Sequence, residues 1–383
     1  MEHHREGRST KRLTWRTFFA FFAFTIALVA GACGSDDEGP AAPATTAAPA
    51  TTAAPATTAA PATTTAAPTA GECTEVRYVP WGPRLIDFVD IYVAEELGFF
   101  ADEGLCVEQI PGGGAGNALI NVIAGNADIA DAGPSAAFFA IQQGEDLTGI
   151  YCPYTESWMT LVVDKRSGIE SIADLKGKTV AVVSQASDSK YNLDIALGQE
   201  GLSSDDVTMV NVGIDFASVL LTGQADAASS WGSANWRLFE GGLLDTDDAA
   251  NYEVWPYNEL IGDVSYDILW VRPEWLETNR DDAMAFIRAM DKAKRYIAEN
   301  PQEATDIAAA TAIGGGENPD FDRAVIDMRI GMQSNGPGVE EHGMGWCDTE
   351  TFQRAADQML ELGILEQSIQ AADHLENIFF PNN

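Results

Sequence analysis

Few residues of this 383-residue chain combine the type and spacing that covalent chemistry needs. Five cysteines and four histidines leave little room for a His-rich metal site. His3 and His4 sit at the N-terminus, and His342 and His374 lie in the C-terminal part. A Ser-His-Asp triad would have to use one of the latter two, and no Gly-x-Ser-x-Gly elbow is present. No Cys-x-x-Cys pair occurs, which argues against a zinc ribbon or a thioredoxin-type centre. The run Gly112-Gly113-Gly114-Ala115-Gly116 is not followed by Gly-Lys-Ser/Thr, so it is not a nucleotide P-loop. It reads instead as backbone that a ligand can approach closely. Trp81, Trp158 and Trp231 offer flat faces for stacking on a ring. The chemistry expected is therefore non-covalent recognition, without metal, cofactor or catalysis.

Charge narrows the partners. With 22 Lys and Arg against 58 Asp and Glu, the net charge is −36. Phosphate binding needs clustered cations, so nucleic acid is excluded as a partner, as is electrostatic docking on anionic lipid. Apolar residues make up 46% and charged residues 21%, the balance of a globular chain.

The first 32 residues read as an export signal. Arg5, Arg8, Lys11, Arg12 and Arg16 flank an apolar run from Thr17 to Ala32 that is short for a membrane span. Val29-Ala30-Gly31-Ala32-Cys33 resembles the bacterial lipobox, so Cys33 is expected to carry lipid and become the new N-terminus; ordinary cleavage is the alternative. Residues 33–72 then form a spacer. From Ala41 to Ala70 the sequence repeats Ala-Ala-Pro-Ala-Thr-Thr, with no large apolar side chain to build a core. Recurrent proline favours polyproline II, giving a reach approaching ~90 Å. The expected location is the outer face of the cell membrane, held there through the anchor.

Cys73, Cys106, Cys152 and Cys347 remain. An even number in an exported chain favours disulfides, and four cysteines allow three connectivities. Cys73 opens an apparent first strand and Cys106 a second. Parallel pairing of those strands would place both thiols at one sheet edge. Cys73–Cys106 with Cys152–Cys347 is the expected pairing.

The elements that must position the aromatic and glycine residues alternate in type. Thr74–Val79 reads as a strand, Ile86–Leu97 as a helix, Cys106–Ile110 as a strand, Ala115–Ala124 as a helix, Ala127–Ala130 as a strand and Ser135–Gln142 as a helix. This rhythm implies a parallel sheet with helices on its faces. Trp158–Asp164 is a further β-forming run, after which the rhythm restarts. Lys178–Val183, Val207–Val212 and Ala225–Ser229 are strands, and Asp188–Gly198 and Phe216–Thr222 are helices. After a strand at Ser265–Val271 the chain is almost wholly helical. Asn300-Pro301-Gln302-Glu303 reads as a helix start with Asn300 as N-cap. Lobe I would hold 73–160 and 265–383, and lobe II 165–260, with two crossings near 160–166 and 258–266. Cys152–Cys347 would then lie within lobe I and leave hinge motion free.

Tyr92-Val-Ala-Glu-Glu-Leu-Gly-Phe-Phe-Ala-Asp-Glu-Gly-Leu-Cys-Val-Glu resembles the opening of the NMT1/THI5-like (SsuA-type) solute-binding proteins of ABC importers. Ile123-Ala-Gly-Asn-Ala-Asp-Ile-Ala-Asp-Ala-Gly, Ile172-Ala-Asp-Leu-Lys-Gly-Lys-Thr-Val-Ala-Val, Gly223-Gln-Ala-Asp-Ala-Ala and Phe352 to Leu365 resemble later signatures, in order. The resemblance implies an α/β type II periplasmic-binding-protein fold with two lobes, a central cleft and two hinge crossings. It also implies a monomeric importer subunit that delivers a solute to an ABC permease in the membrane. Fungal members make a pyrimidine with an active-site His and a Cys-rich motif; this chain has no Cys-rich run.

Ligands of open α/β sheets bind beyond the carboxyl ends of strands, near helix N-termini. That rule selects Trp81, then Gly113, Gly114 and Asn117, then Ser135. In lobe II it selects Ser184, Gln185 and Ser187, then Asp215, then Trp231. Tyr154, Glu156 and Trp158 lie between the lobes. A family Trp that faces ligand stands near the position of Trp81. Arg84 and Lys190 are the sole bases near these segments, whereas aromatics are plentiful. The expected ligand is therefore a pyrimidine or another planar heterocycle. A sulfonate, taurine or nitrate-type anion is the alternative, and a non-transport adhesin or sensory ectodomain the second alternative.

Overall fold

The computed structural model describes residues 73–380 apart from 242, 245, 263–266, 335 and 337. The expected signal peptide, the expected lipidation site Cys33 and the expected spacer lie outside the described residues. Among those described, no helix is long and apolar enough to cross a membrane.

Two five-stranded sheets carry the fold. The first contains β1 (Thr74–Val79), β2 (Leu105–Gln109), β3 (Ile129–Ala132), β4 (Thr148–Tyr154) and β10 (Asp267–Val271), in the order β2-β1-β3-β10-β4. The second contains β5 (Met159–Asp164), β6 (Thr179–Val182), β7 (Thr208–Asn211), β8 (Ala227–Trp231) and β9 (Tyr252–Pro256), in the order β7-β6-β8-β5-β9. Each has a parallel core and antiparallel strands: β10 runs against β3 and β4, and β5 against β8 and β9. The helices around the first sheet begin with α1 (Val89–Glu96), α2 (Phe99–Asp102), α3 (Ala115–Ile123) and α4 (Pro134–Gln142). Those that follow β6 are α5 (Asp188–Gln199), α6 (Phe216–Leu221), α7 (Gly232–Phe239), α8 (Thr246–Ala249) and α9 (Tyr257–Ile261). The C-terminal part supplies α10 (Pro273–Glu299), α11 (Pro301–Thr311), α12 (Pro319–Ser334), α13 (Val339–His342) and α14 (Thr349–Glu361). This is the α/β type II periplasmic-binding-protein architecture, with two lobes joined by two crossings.

Local sequence explains the elements. Gly98 takes φ 72°, the left-handed turn that ends α1. Phe99 and Phe100 then turn inward, and Phe100 stacks on Phe286 of α10 at 5.1 Å. Strands β3 and β8, with sequences Ile-Ala-Asp-Ala and Ala-Ala-Ser-Ser-Trp, are buried throughout because helices cover both faces. Asp348 caps α14 by accepting the Thr351 N–H at 2.9 Å. Asn300 acts differently from the expected N-cap. Its side chain makes no cap bond to α11 and instead donates Nδ2–H to the Tyr296 carbonyl at 3.1 Å, closing α10.

The first crossing falls earlier than expected. β5 pairs in the second sheet from Met159 onward, so residues 159–160 belong with lobe II and the chain crosses between Tyr154 and Met159. β4 and β9 were not anticipated. β4 carries Gly149 and Pro153, both poor β-formers, and Pro153 is tolerated because β4 is an edge strand whose register with β10 breaks there. The C-terminal segment covers that edge through bridges from Gly149 to Leu375 and from Cys152 to Gly345.

Disulfides join Cys73 to Cys106 and Cys152 to Cys347, with Cα separations of 5.5 and 5.1 Å. The first follows from register, since Thr74 faces Leu105 and Glu75 faces Cys106 across the parallel pair. The second ties β4 to the approach to α14.

Candidate functional site

A narrow cleft lies where the two sheets face each other. Its aromatic walls are Trp81, following β1, Trp158 in the first crossing and Trp231 at the end of β8. Trp81 and Trp231 meet edge to face at 5.9 Å, and Trp81 also packs on Phe88 at 4.8 Å. Trp231 Nε1–H donates to Ser233 Oγ at 2.5 Å, and Ser233 in turn donates to Asp87 Oδ1 at 2.9 Å, across the lobes. Among the described residues the polar lining comprises Glu156, Ser187, Asp188, Ser189 and Asp267, and includes no Lys or Arg.

The lobes touch around this cleft. Gly116 N–H donates to the Ala186 carbonyl at 2.9 Å. A Cβ at Gly116 would stand 2.9 Å from the Ala186 methyl, and one at Gly133 would stand 2.6 Å from the Asp188 carboxylate. The glycine run thus admits the opposite lobe's backbone as well as bordering the cleft.

Asp188 is the first residue of α5 and accepts from the Gly133 backbone on the other lobe. Burial, with the charge of Asp267 adding to it, pushes its carboxyl up to about 7. Asp267 is raised by burial, while Arg329 pulls the other way from 3.1 Å. Behind it, burial and then Asp267 push Asp131 well above the usual carboxylate range. Arg329, 1% exposed, stacks on Tyr154 at 4.1 Å and on Trp158 at 4.4 Å, and donates to the Asp87 carbonyl at 2.9 Å. Lys294 lies over the Tyr154 ring at 3.4 Å, and burial pushes its ammonium down to about 8 against the pull of Asp90.

Of the residues expected from sequence, Trp81, Gly114, Glu156, Trp158, Ser187 and Trp231 line the cleft. The others stand elsewhere. Tyr154 donates to Asp90 Oδ2 at 3.1 Å under the two cations, and Gln185 donates to Asn211 at 2.9 Å. Asp215 caps α6 by accepting from Ser218 N–H at 3.3 Å, and borders a second groove on the other side of Trp231 from the cleft lining it was expected to join. Ser135 is fully buried at the start of α4, and Ser184 sits behind Gly114. Gly113 faces Asn117, whose carbonyl accepts from Asn121. The sequence reading missed Ala115, Met159, Val183, Asp188, Ser189, Asp267 and Met332. Asp188 and Ser189 lie one and two residues past Ser187, so the strand-end rule needed only to run into the helix. Asp267 escaped because β10 is antiparallel and brings its amino end to the cleft. Met332 comes from α12, far along the chain, and nothing local marks it.

Comparison with known proteins agrees with this architecture. The family model described as NMT1/THI5 like matches residues 86–304. A Haemophilus influenzae protein named for thiamine biosynthesis is 31% identical over 219 residues, covering 57% of this chain and 67% of its own. The riboflavin-binding protein RibY of Chloroflexus aurantiacus is 23% identical over 304 residues, covering 77% and 83%. The alkanesulfonate-binding protein SsuA of Xanthomonas axonopodis superposes with a TM-score of 0.61 at 17% identity, over 80% of this chain and 99% of its own. Fold and cleft together define a two-lobed chain of the type II periplasmic-binding-protein fold. The chain belongs to the NMT1/THI5-like family.

Proposed function

We propose that the chain is the exported, lipid-anchored capture subunit of an ABC importer. It closes its lobes on a small planar nitrogen heterocycle, of which a pyrimidine is the favoured example, and passes it to permease subunits in the membrane. A ligand that prefers the closed form shifts the hinge equilibrium by its differential affinity. One observation carries the reading: among the described residues three tryptophans and three carboxyl groups line the cleft, and no Lys or Arg does. Rings gain by stacking there, whereas an anion would face acidic groups without a wall cation. Relatives named for thiamine biosynthesis and for riboflavin binding agree with a heterocycle.

A second reading, a sulfonate or nitrate ligand, is favoured by one feature. The N-termini of α3 and α5 border the cleft at Gly114 and Ser187, and helix N-termini favour anions. Asp188 stands against it, because its carboxyl already occupies the start of α5. A thermal-shift screen of pyrimidines, flavins, taurine and nitrate separates the two. Stabilisation by heterocycles alone supports the first reading, and stabilisation by taurine or nitrate alone reverses it.

A further inference from the structure

Two atoms of the cleft lining are buried without a hydrogen-bond partner: Asp188 Oδ1 and Trp81 Nε1. Buried polar groups are nearly always satisfied, and leaving one unpaired costs free energy comparable to a lost hydrogen bond. The two are chemically opposite. An indole N–H can only donate, and an ionised carboxylate can only accept. They come from different lobes, Trp81 following β1 and Asp188 opening α5. The backbone N–H of Gly133 holds the carboxyl from the far side of the gap.

We propose that Asp188 and Trp81 form the specificity-determining pair of the cleft: the ligand donates an N–H to Asp188 Oδ1 and accepts from the Trp81 indole. Resting on the heterocycle reading, this narrows it to amino-substituted rings that present both an N–H donor and a ring nitrogen or carbonyl acceptor. An oxyanion offers acceptors alone. It can satisfy Trp81, but it can satisfy Asp188 only when that carboxyl is protonated.

The two chemistries therefore carry opposite pH signs. Asp188 titrates near neutrality, raised by burial and by Asp267. A donor ligand needs the carboxylate and binds more tightly as pH rises. An oxyanion needs the acid and binds more tightly as pH falls. The charged and titratable groups on the elements around Asp188 are Asp267 on β10, Glu156 in the first crossing, Lys190, Tyr191 and Asp194 on its own helix, Tyr257 and Glu259 on the adjoining α9, Asp164 on β5 and Asp174 in the turn Ile172–Leu175. The neighbouring α4 and β8 contain no titratable side chain.

The test is calorimetric titration of the purified full chain, with its Asp188→Asn and Trp81→Phe variants, at pH 6 and pH 8. The probes are 4-amino-2-methylpyrimidine, its 4-dimethylamino analogue and ethanesulfonate, an oxyanion with no N–H donor. The aminopyrimidine should bind about tenfold or more weakly to Asp188→Asn at pH 8, the scale of a charge-assisted hydrogen bond. Comparing wild type with Asp188→Asn cancels the probe's own titration, and their affinity ratio should be larger at pH 8 than at pH 6. The dimethylamino analogue should bind weakly and be indifferent to Asp188→Asn. Trp81→Phe keeps the ring and should still lose several-fold, which holds the test open if Asp188→Asn fails to fold. Equal aminopyrimidine affinity in wild type and both variants overturns the pair but leaves the heterocycle reading intact. Ethanesulfonate binding that tightens at pH 6 in the wild type, a pH preference that Asp188→Asn abolishes, with no aminopyrimidine binding, overturns both.

Discussion

The two sides of the cleft are built from different chemistry. Behind the lobe I wall lies a buried ionic cluster of Asp90, Asp131, Asp267, Lys294 and Arg329 around Tyr78 and Tyr154. Behind the lobe II wall lies a neutral hydroxyl network. Ser187 and Ser189 pair at 2.8 Å, Ser229 donates to the Ser189 carbonyl at 2.5 Å, and Tyr257 donates to Ser229 at 2.9 Å. Both disulfides join segments of the first-sheet side, and none lies in the second. Buried ions are costly to desolvate and sensitive to their partners, whereas neutral hydroxyl networks are cheap and insensitive to pH. Lobe I therefore reads as a stapled, charge-dependent platform. Arg329 contacts Tyr154 at the end of β4, Trp158 in the first crossing and Asp267 at the start of β10. Lobe II reads as a cap backed by neutral hydroxyls, with Asp188 as the acid on its cleft wall, that closes against it.

Perturbing the two sides should give effects of different size. Arg329→Met removes the cation bonded to Asp267, and should cost ~3–5 kcal/mol in urea-denaturation free energy because it leaves carboxyls buried without their partner. Equal stability would show that the cluster is not ionic. Cys152→Ser paired with Cys347→Ser should cost ~2–5 kcal/mol by the same measurement. Heterocycle affinity should largely survive, since that bridge does not tie the lobes together.

pH acts through the cleft itself. Asp188 titrates near 7 in the folded chain against about 3.9 unfolded, so the folded state holds the extra proton between those values. Its contribution to stability is fully present below the unfolded value and is lost as pH rises through the folded one. Melting curves from pH 5 to 8 should show a fall to which Asp188 contributes ~1–3 kcal/mol, so that Asp188→Asn shallows the slope while the raised carboxyls of Asp131 and Asp267 keep the remainder. An identical slope in that variant would remove Asp188 as a contributor. The smallest effect belongs to lobe II. Tyr257→Phe should cost ~1 kcal/mol, and by the same amount at pH 5 and 8. A pH-dependent loss there would erase the contrast between the sides.

Much of this contrast was written locally. Gly98-Phe99-Phe100, the alternation of strands and helices, and the small residues of β3 and β8 announce the fold because turn geometry and burial periodicity act over a few residues. Trp81, Gly114, Ser187 and Trp231 were legible because ligands meet parallel strands at their carboxyl ends. Asp267 and Met332 were not, since an antiparallel strand and a distant helix reach the cleft only through tertiary packing. The ionic cluster was equally hidden. Lys294 and Arg329 sit on amphipathic helices where a charged residue ordinarily faces water, and only the packing of α10 and α12 shows them buried. Gln185 and Asp215 lie just past strand ends, yet side-chain bonds to Asn211 and Ser218 satisfy them away from the cleft.

The central claim is that the cleft captures a planar nitrogen heterocycle between its lobes. Native mass spectrometry of the protein purified from its own host, with release and identification of any bound small molecule, tests it most directly. The account predicts one heterocycle per chain, lost when Trp158 and Trp231 are replaced by Ala. A bound sulfonate or nitrate, or a heterocycle retained by that double variant, would contradict it.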